Sequence, residues 1–166
     1  MVDEHAELSG FLELSALLTG FSTFELRGTG QAEAYLATLG DATGVGTVRA
    51  LLAAFRGVRD DADDDAALER GLRGRILSDA ALGPVARGLI KLWYVGTWHA
   101  LPASWHEAHG TAAGDRTFVV SPAAYTEGLL WPAVGANPSG AKPFGYGTWA
   151  LPPRVPAARP AQQAAT

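Results

Sequence analysis

An all-α fold is predicted by three observations on this chain. Apolar residues recur at three- and four-residue spacing through the first 131 positions, the period of a helix with one buried face. Glycine, proline or a capping side chain stands at the ends of most of these stretches. No clear parallel-strand pattern accompanies them. The expected architecture is a compact bundle of five to six helices over 1–131. A long irregular extension rich in Pro, Gly and aromatic residues follows, extended over 132–153, with a mobile tail from 154 to 166.

The first helix is expected over about 6–19, where Leu8, Phe11, Leu12, Leu14, Leu17, Leu18 and Phe21 make a broad apolar stripe and Gly20 is placed to stop it. A second begins after Thr29 and runs through Tyr35, Leu36 and Leu39 to Gly40; a third carries Val48, Leu51, Leu52 and Phe55 to near Gly57. Short connections favour antiparallel packing of these three. A fourth holds Leu68, Leu72, Ile76 and Leu77, weakened by Gly71 and Gly74. The most hydrophobic helix runs from Val85 through Leu89, Leu92 and Trp93 to near Gly96 or His99 and is expected to be central. Ser121 as N-cap with Pro122 at the first position starts another, with Tyr125, Leu129 and Leu130 on its buried side. The segment between Pro102 and Gly110 reads as a polar loop in which a helix is doubtful.

Composition narrows the function classes. The chain has 166 residues, about half of them apolar (48%), which is enough to bury a core. Its net charge of −4, with only Lys91 and Lys142 as lysines, gives no basic footprint for nucleic acid. With no cysteine there is no disulfide, thiolate nucleophile or sulfur-ligated cluster. No apolar run approaches the roughly 18 residues of a membrane span. The start Met1-Val2-Asp3-Glu4 lacks a basic region, an apolar export core and a twin-arginine pair. The expected location is the cytoplasm, or the periplasm if a signal has been removed or the chain travels with an exported partner.

Three blocks carry a resemblance. They are FLELSALLTGF (11–21) with GQAEAYLATL (30–39), LWYVGTW (92–98), and VVSPAAYTEGLLW (119–131) followed by PFGYGTWALPP (143–153). In order and joint presence they resemble the small subunits of heteromeric flavin-dependent sugar and polyol dehydrogenases, the family of the membrane-bound FAD-containing D-sorbitol dehydrogenase. Only the acidic middle of the chain is unmatched. The resemblance implies a non-catalytic subunit that supports the folding, stability or export of a large FAD-containing partner of the glucose-methanol-choline oxidoreductase type, with a cytochrome c subunit as a further member of the complex. FAD is then held by the partner, and this chain itself has no catalytic, cofactor-binding or metal residues.

The residues themselves lead to a binding role as well. Trp93 and Tyr125 lie on helical stripes and are expected in the core. Trp98, Trp105, Trp131, Tyr146 and Trp149 lie at helix ends or among Gly and Pro, more aromatic surface than so small a core readily hides, and are expected to meet a partner chain. One rival is a carbohydrate-binding module, with Glu127, Asn137 and Lys142 as polar partners of stacked rings. Another is a metal-assisted hydrolase built on His99, His106 and His109, although His106 and His109 are three residues apart and the zincin motif needs four. Asp61, Asp63 and Asp65 copy the first ligand positions of a calcium loop, but Ala66 and Leu72 occupy its glycine and glutamate positions. Gly145-Tyr146-Gly147-Thr148-Trp149-Ala150 matches a degenerate nucleotide pattern with Leu-Pro-Pro after it in place of a helix. No G-x-S-x-G elbow is present.

Overall fold

The computed structural model describes residues 2–139 and 141–142. They are mostly helical, with a two-stranded ribbon as a minor element: α1 (Val2–Thr19), α2 (Thr23–Gly28), α3 (Ala32–Thr43), α4 (Val45–Asp60), α5 (Asp65–Gly71) leading into a π-helical turn at Leu72–Leu77, α6 (Leu82–Val95), β1 (Thr97–Trp98), α7 (Ala103–His109), β2 (Phe118–Val119), α8 (Pro122–Thr126) and α9 (Leu130–Ala133). No helix among the described residues is long and apolar enough to cross a membrane.

The anticipated helices form where the apolar stripes are. Gly20 ends α1 at φ +79°, a conformation glycine adopts without a Cβ penalty. Phe11, Leu12 and Leu14 of α1, Tyr35 and Leu39 of α3, and Leu51 and Phe55 of α4 are buried. They close around α6, whose Val85, Leu89, Leu92 and Trp93 are buried with them, so α6 is the central helix. Trp93 stacks on Phe11 with ring centroids 6.1 Å apart and meets Tyr35 edge-on at 4.8 Å. Truncating a side chain so enclosed costs about 3–5 kcal/mol.

Three departures have local causes. An unanticipated helix, α2, forms because Ser22 and Glu25 make a reciprocal capping box: each side chain bonds the other residue's backbone N–H. Helix α4 runs past Gly57 to Asp60, held at the core by Val58. Its approach to α5 is so close that a Cβ at Gly71 would sit 2.6 Å from Val58 Cγ1. The π-helical turn after Gly71 keeps Leu72 and Ile76 both buried, and Arg87 of α6 donates to its final carbonyl at Leu77.

After α6 the chain must reverse tightly, and Gly96 does this in the left-handed region at φ +67°. A Cβ there would lie 2.4 Å from the Ala124 carbonyl. The ribbon β1–β2 is antiparallel, with Thr97 opposite Val119 and Trp98 opposite Phe118. Ser121 caps α8 by accepting from the Ala124 N–H, with Pro122 at the first turn as expected. Among the described residues of the expected extended stretch, 132–135 are helix and turn instead. Pro132 lies within the one-turn helix α9, where a proline is tolerated near the start. Turns then bring Pro138 and Lys142 back toward α2. The expected wrap beyond Lys142, including Tyr146 and Trp149, and the tail 154–166 lie outside the described residues.

Candidate functional site

The segment between β1 and β2 is organised by one carboxylate. Asp115, whose side chain is fully enclosed, accepts the Trp98 indole N–H at 2.7 Å and the Leu101 N–H at 2.9 Å, and its Oδ2 meets His106 Nε2 at 2.8 Å. Trp105 donates its indole N–H to the Ala81 carbonyl at 2.8 Å. His106 and His109 flank the Trp105 ring, at centroid distances of 5.6 and 5.1 Å. These contacts account for α7, in the stretch where a loop was expected.

They also correct two expected interface residues. Trp98 is 0% exposed and Trp105 is 5% exposed. Both are core residues of this chain, and each finds a partner for its polar nitrogen inside the fold. Trp98 further packs over Gly88, where a Cβ would fall 3.1 Å from Trp98 Cη2. A partner chain cannot reach either ring in this fold.

Of the three histidines, the structure brings His106 and His109 together on α7 and leaves His99 exposed at the ribbon's end. His106 faces Asp115 through Nε2 and the Gly110 carbonyl through Nδ1 at 3.4 Å, so neither nitrogen is left for an external ligand. Among the described residues no three His, Asp or Glu side chains converge as metal ligands. In the acidic run, Asp64 caps α5 by accepting from Ala67 N–H, and Asp61 pairs with Arg75.

The other aromatics lie outward. Tyr125, expected in the core, is 40% exposed, because α8 is a single short turn whose buried contact is Ala124. Its ring meets Trp131 edge-on at 5.4 Å, and Trp131 donates its indole N–H to the Tyr125 carbonyl at 2.8 Å. Leu129 is buried and its N–H bonds the Trp93 carbonyl. Leu130 and Val134, after it, are exposed, as is Val119 on β2. Phe24 on α2 is 84% exposed. Periodicity pointed to Leu130 as buried, and its exposure follows from the chain turning at Gly128, where a Cβ would strike the Tyr94 carbonyl.

Between α2 and the 126–142 segment lies an open cleft of about 340 Å³. Its walls include Phe21, Glu25 and Thr29 on one side and Glu127, Trp131, Asn137 and Lys142 on the other. Lys142 Nζ and Glu127 Oε2 are 2.9 Å apart. Glu25 is held by the capping box, whose Ser22 hydroxyl and backbone N–H lower its pKa. Burial first, and the Glu127 carboxylate second, push the Tyr35 phenol above its ordinary value.

Comparison with protein-family models, with curated proteins and with solved structures returns no match for this chain. The resemblance rests on the sequence blocks alone. Phe11 and Tyr35, from the first block, both contact the ring of Trp93, from the second. Leu129, from the third, bonds the Trp93 carbonyl through its N–H, and Ser121 reaches Gln31 at 3.4 Å.

Proposed function

We propose that this chain is a non-catalytic small subunit that binds and stabilises a large FAD-containing sugar or polyol dehydrogenase of the glucose-methanol-choline type. The observation that carries this reading is the exposed apolar surface of Tyr125, Leu130 and Val134 with Val119, formed at the end of the segment 119–131 on which the resemblance rests. Large side chains grouped at a surface favour a protein interface. Phe11, Tyr35 and Trp93, from the matched stretches 11–21, 30–39 and 92–98, share one core, and that core holds this surface in shape.

The mechanism is thermodynamic. A subunit that binds only the folded partner lowers that state's free energy by mass action, and an apolar surface offered to a folding intermediate limits its aggregation. In this reading the interface is formed by Tyr125, Leu130 and Val134, with Tyr146 and Trp149 kept as anchors from the sequence alone; Trp131, also expected there, has its indole N–H bonded to the Tyr125 carbonyl and lines the neighbouring cleft. FAD belongs to the partner in this reading.

The test is co-expression with a large FAD-containing dehydrogenase of the glucose-methanol-choline type from the same organism. Leu130→Asp with Val134→Asp should weaken complex formation by about 2 kcal/mol or more, roughly 30-fold, while the circular dichroism of the isolated chain stays unchanged. Undiminished co-purification of this double variant would remove the assigned surface. Stoichiometric flavin on the isolated chain, surviving gel filtration, would remove the subunit reading itself.

A further inference from the structure

We infer that the cleft between α2 and residues 126–142 is a binding site for a neutral, monosaccharide-sized sugar. This does not rest on the subunit reading, since it concerns a site complete within this chain.

The argument begins with which groups are already committed. The Trp131 indole N–H is spent on the Tyr125 carbonyl and the ring is braced edge-on by Tyr125, so Trp131 enters the cleft wall as a fixed aromatic surface. Rigid aromatic surface suits the C–H face of a sugar ring. Glu127 and Lys142 form an acceptor and donor pair 2.9 Å apart at the same wall. One hydroxyl can donate to the carboxylate while accepting from the ammonium, which places both polar halves of an alcohol without breaking the pair. The Asn137 side chain, also on this wall, makes no hydrogen bond among the described residues, so its amide is open to a neighbouring hydroxyl.

Charge selects among polyhydroxylated ligands. Glu25 and Glu127 together outweigh Lys142, so the cleft carries a net negative charge and disfavours phosphorylated or carboxylated sugars. Size selects as well. A volume of about 340 Å³ is at the small end of ligand sites and suits a single ring. The His106 and Asp115 pair offers no comparable opening, because both of its histidine nitrogens are occupied.

The experiment follows the indole N–H resonances of the purified chain by two-dimensional NMR, with Trp131 assigned through Trp131→Phe. D-glucose, D-galactose and D-mannose are titrated separately, with glycerol and D-glucuronate as controls. At least one neutral hexose should shift the Trp131 resonance saturably with Kd on the order of 1 mM, and glucuronate should bind about tenfold more weakly or not at all. Glu127→Gln and Lys142→Met should each weaken the hexose about tenfold while the remaining indole resonances stay in place. No saturable shift with any of the three hexoses would overturn the proposal. So would an equal response to glycerol, or hexose binding that is undiminished in both variants.

Discussion

The indole N–H of Trp98 and the carboxylate of Asp115 meet at 2.7 Å inside the fold, 17 residues apart in the chain. This one bond lets a tryptophan at a strand end be completely buried. It also fixes the carboxylate so that Leu101 N–H and His106 can share it. Asp115→Ala would leave a buried indole donor and a backbone donor without a partner. The expected loss is about 2–4 kcal/mol in urea unfolding at neutral pH, with the Trp98 indole resonance displaced. An Asp115→Ala protein as stable as the parent would show that the segment is held by packing alone.

Tyr35 gives a prediction of the opposite sign. Its hydroxyl is buried and has no hydrogen-bond partner among the described residues. Tyr35→Phe should therefore be neutral or stabilising by up to about 1 kcal/mol, because no bond is lost and a desolvated polar atom is removed. Since burial raises the phenol's pKa in the folded state, its contribution to stability is fully present below the unfolded value of about 10. It is lost as pH rises past that value toward the higher native one. Thermal melts from pH 9 to 11 should decline less steeply for Tyr35→Phe than for the parent.

On the acid side the relevant group is Glu25. Its pKa is lowered first by the Ser22 hydroxyl and then by the Ser22 backbone N–H. The capping contribution is thus present above the unfolded glutamate value of about 4.3 and is lost as pH falls through the lower native value. Amide exchange in α2 should accelerate below that range, and Glu25→Gln should already show faster exchange at pH 7. Protection in α2 that is independent of pH and of this substitution would remove the carboxylate from its account.

Gly96 tests the reversal after α6. An alanine there combines a left-handed backbone with a Cβ 2.4 Å from the Ala124 carbonyl, so Gly96→Ala should cost at least about 2 kcal/mol. The same substitution at Gly10, where a Cβ would meet nothing, should be stabilising or neutral. The comparison of the two melting curves checks whether the close approach is real.

The helices were legible where an apolar stripe coincided with a stop signal, as at Gly20 and Gly96, and so was the centrality of α6. Helix α2 was missed because its evidence is a four-residue capping pattern without a long stripe; Ser22 followed by Glu25 was the available signal. The fate of the tryptophans was not legible, because whether an indole at a helix end is buried depends on a partner for its N–H. For Trp98 that partner is Asp115, and for Trp105 it is the Ala81 carbonyl; neither pairing leaves a trace in spacing. The polar residues named as possible partners of a stacked ring, Glu127, Asn137 and Lys142, do meet Trp131 in one cleft. The sequence alone placed α2 nowhere, so the opposite wall could not be anticipated.

The bond from Leu129 N–H to the Trp93 carbonyl, with Tyr94 Oη bonded to the Thr19 carbonyl, sets an order on synthesis. Helices α1, α3 and α4 emerge from the ribosome with their apolar faces waiting for α6. The end of α6 is in turn sealed only when residue 129 has cleared the exit tunnel. Contacts of such long sequence separation close late. From the emergence of α6 until residues 119–131 have followed it, the nascent chain therefore exposes the surface around Trp93, and folding of that later segment is the event that hides it.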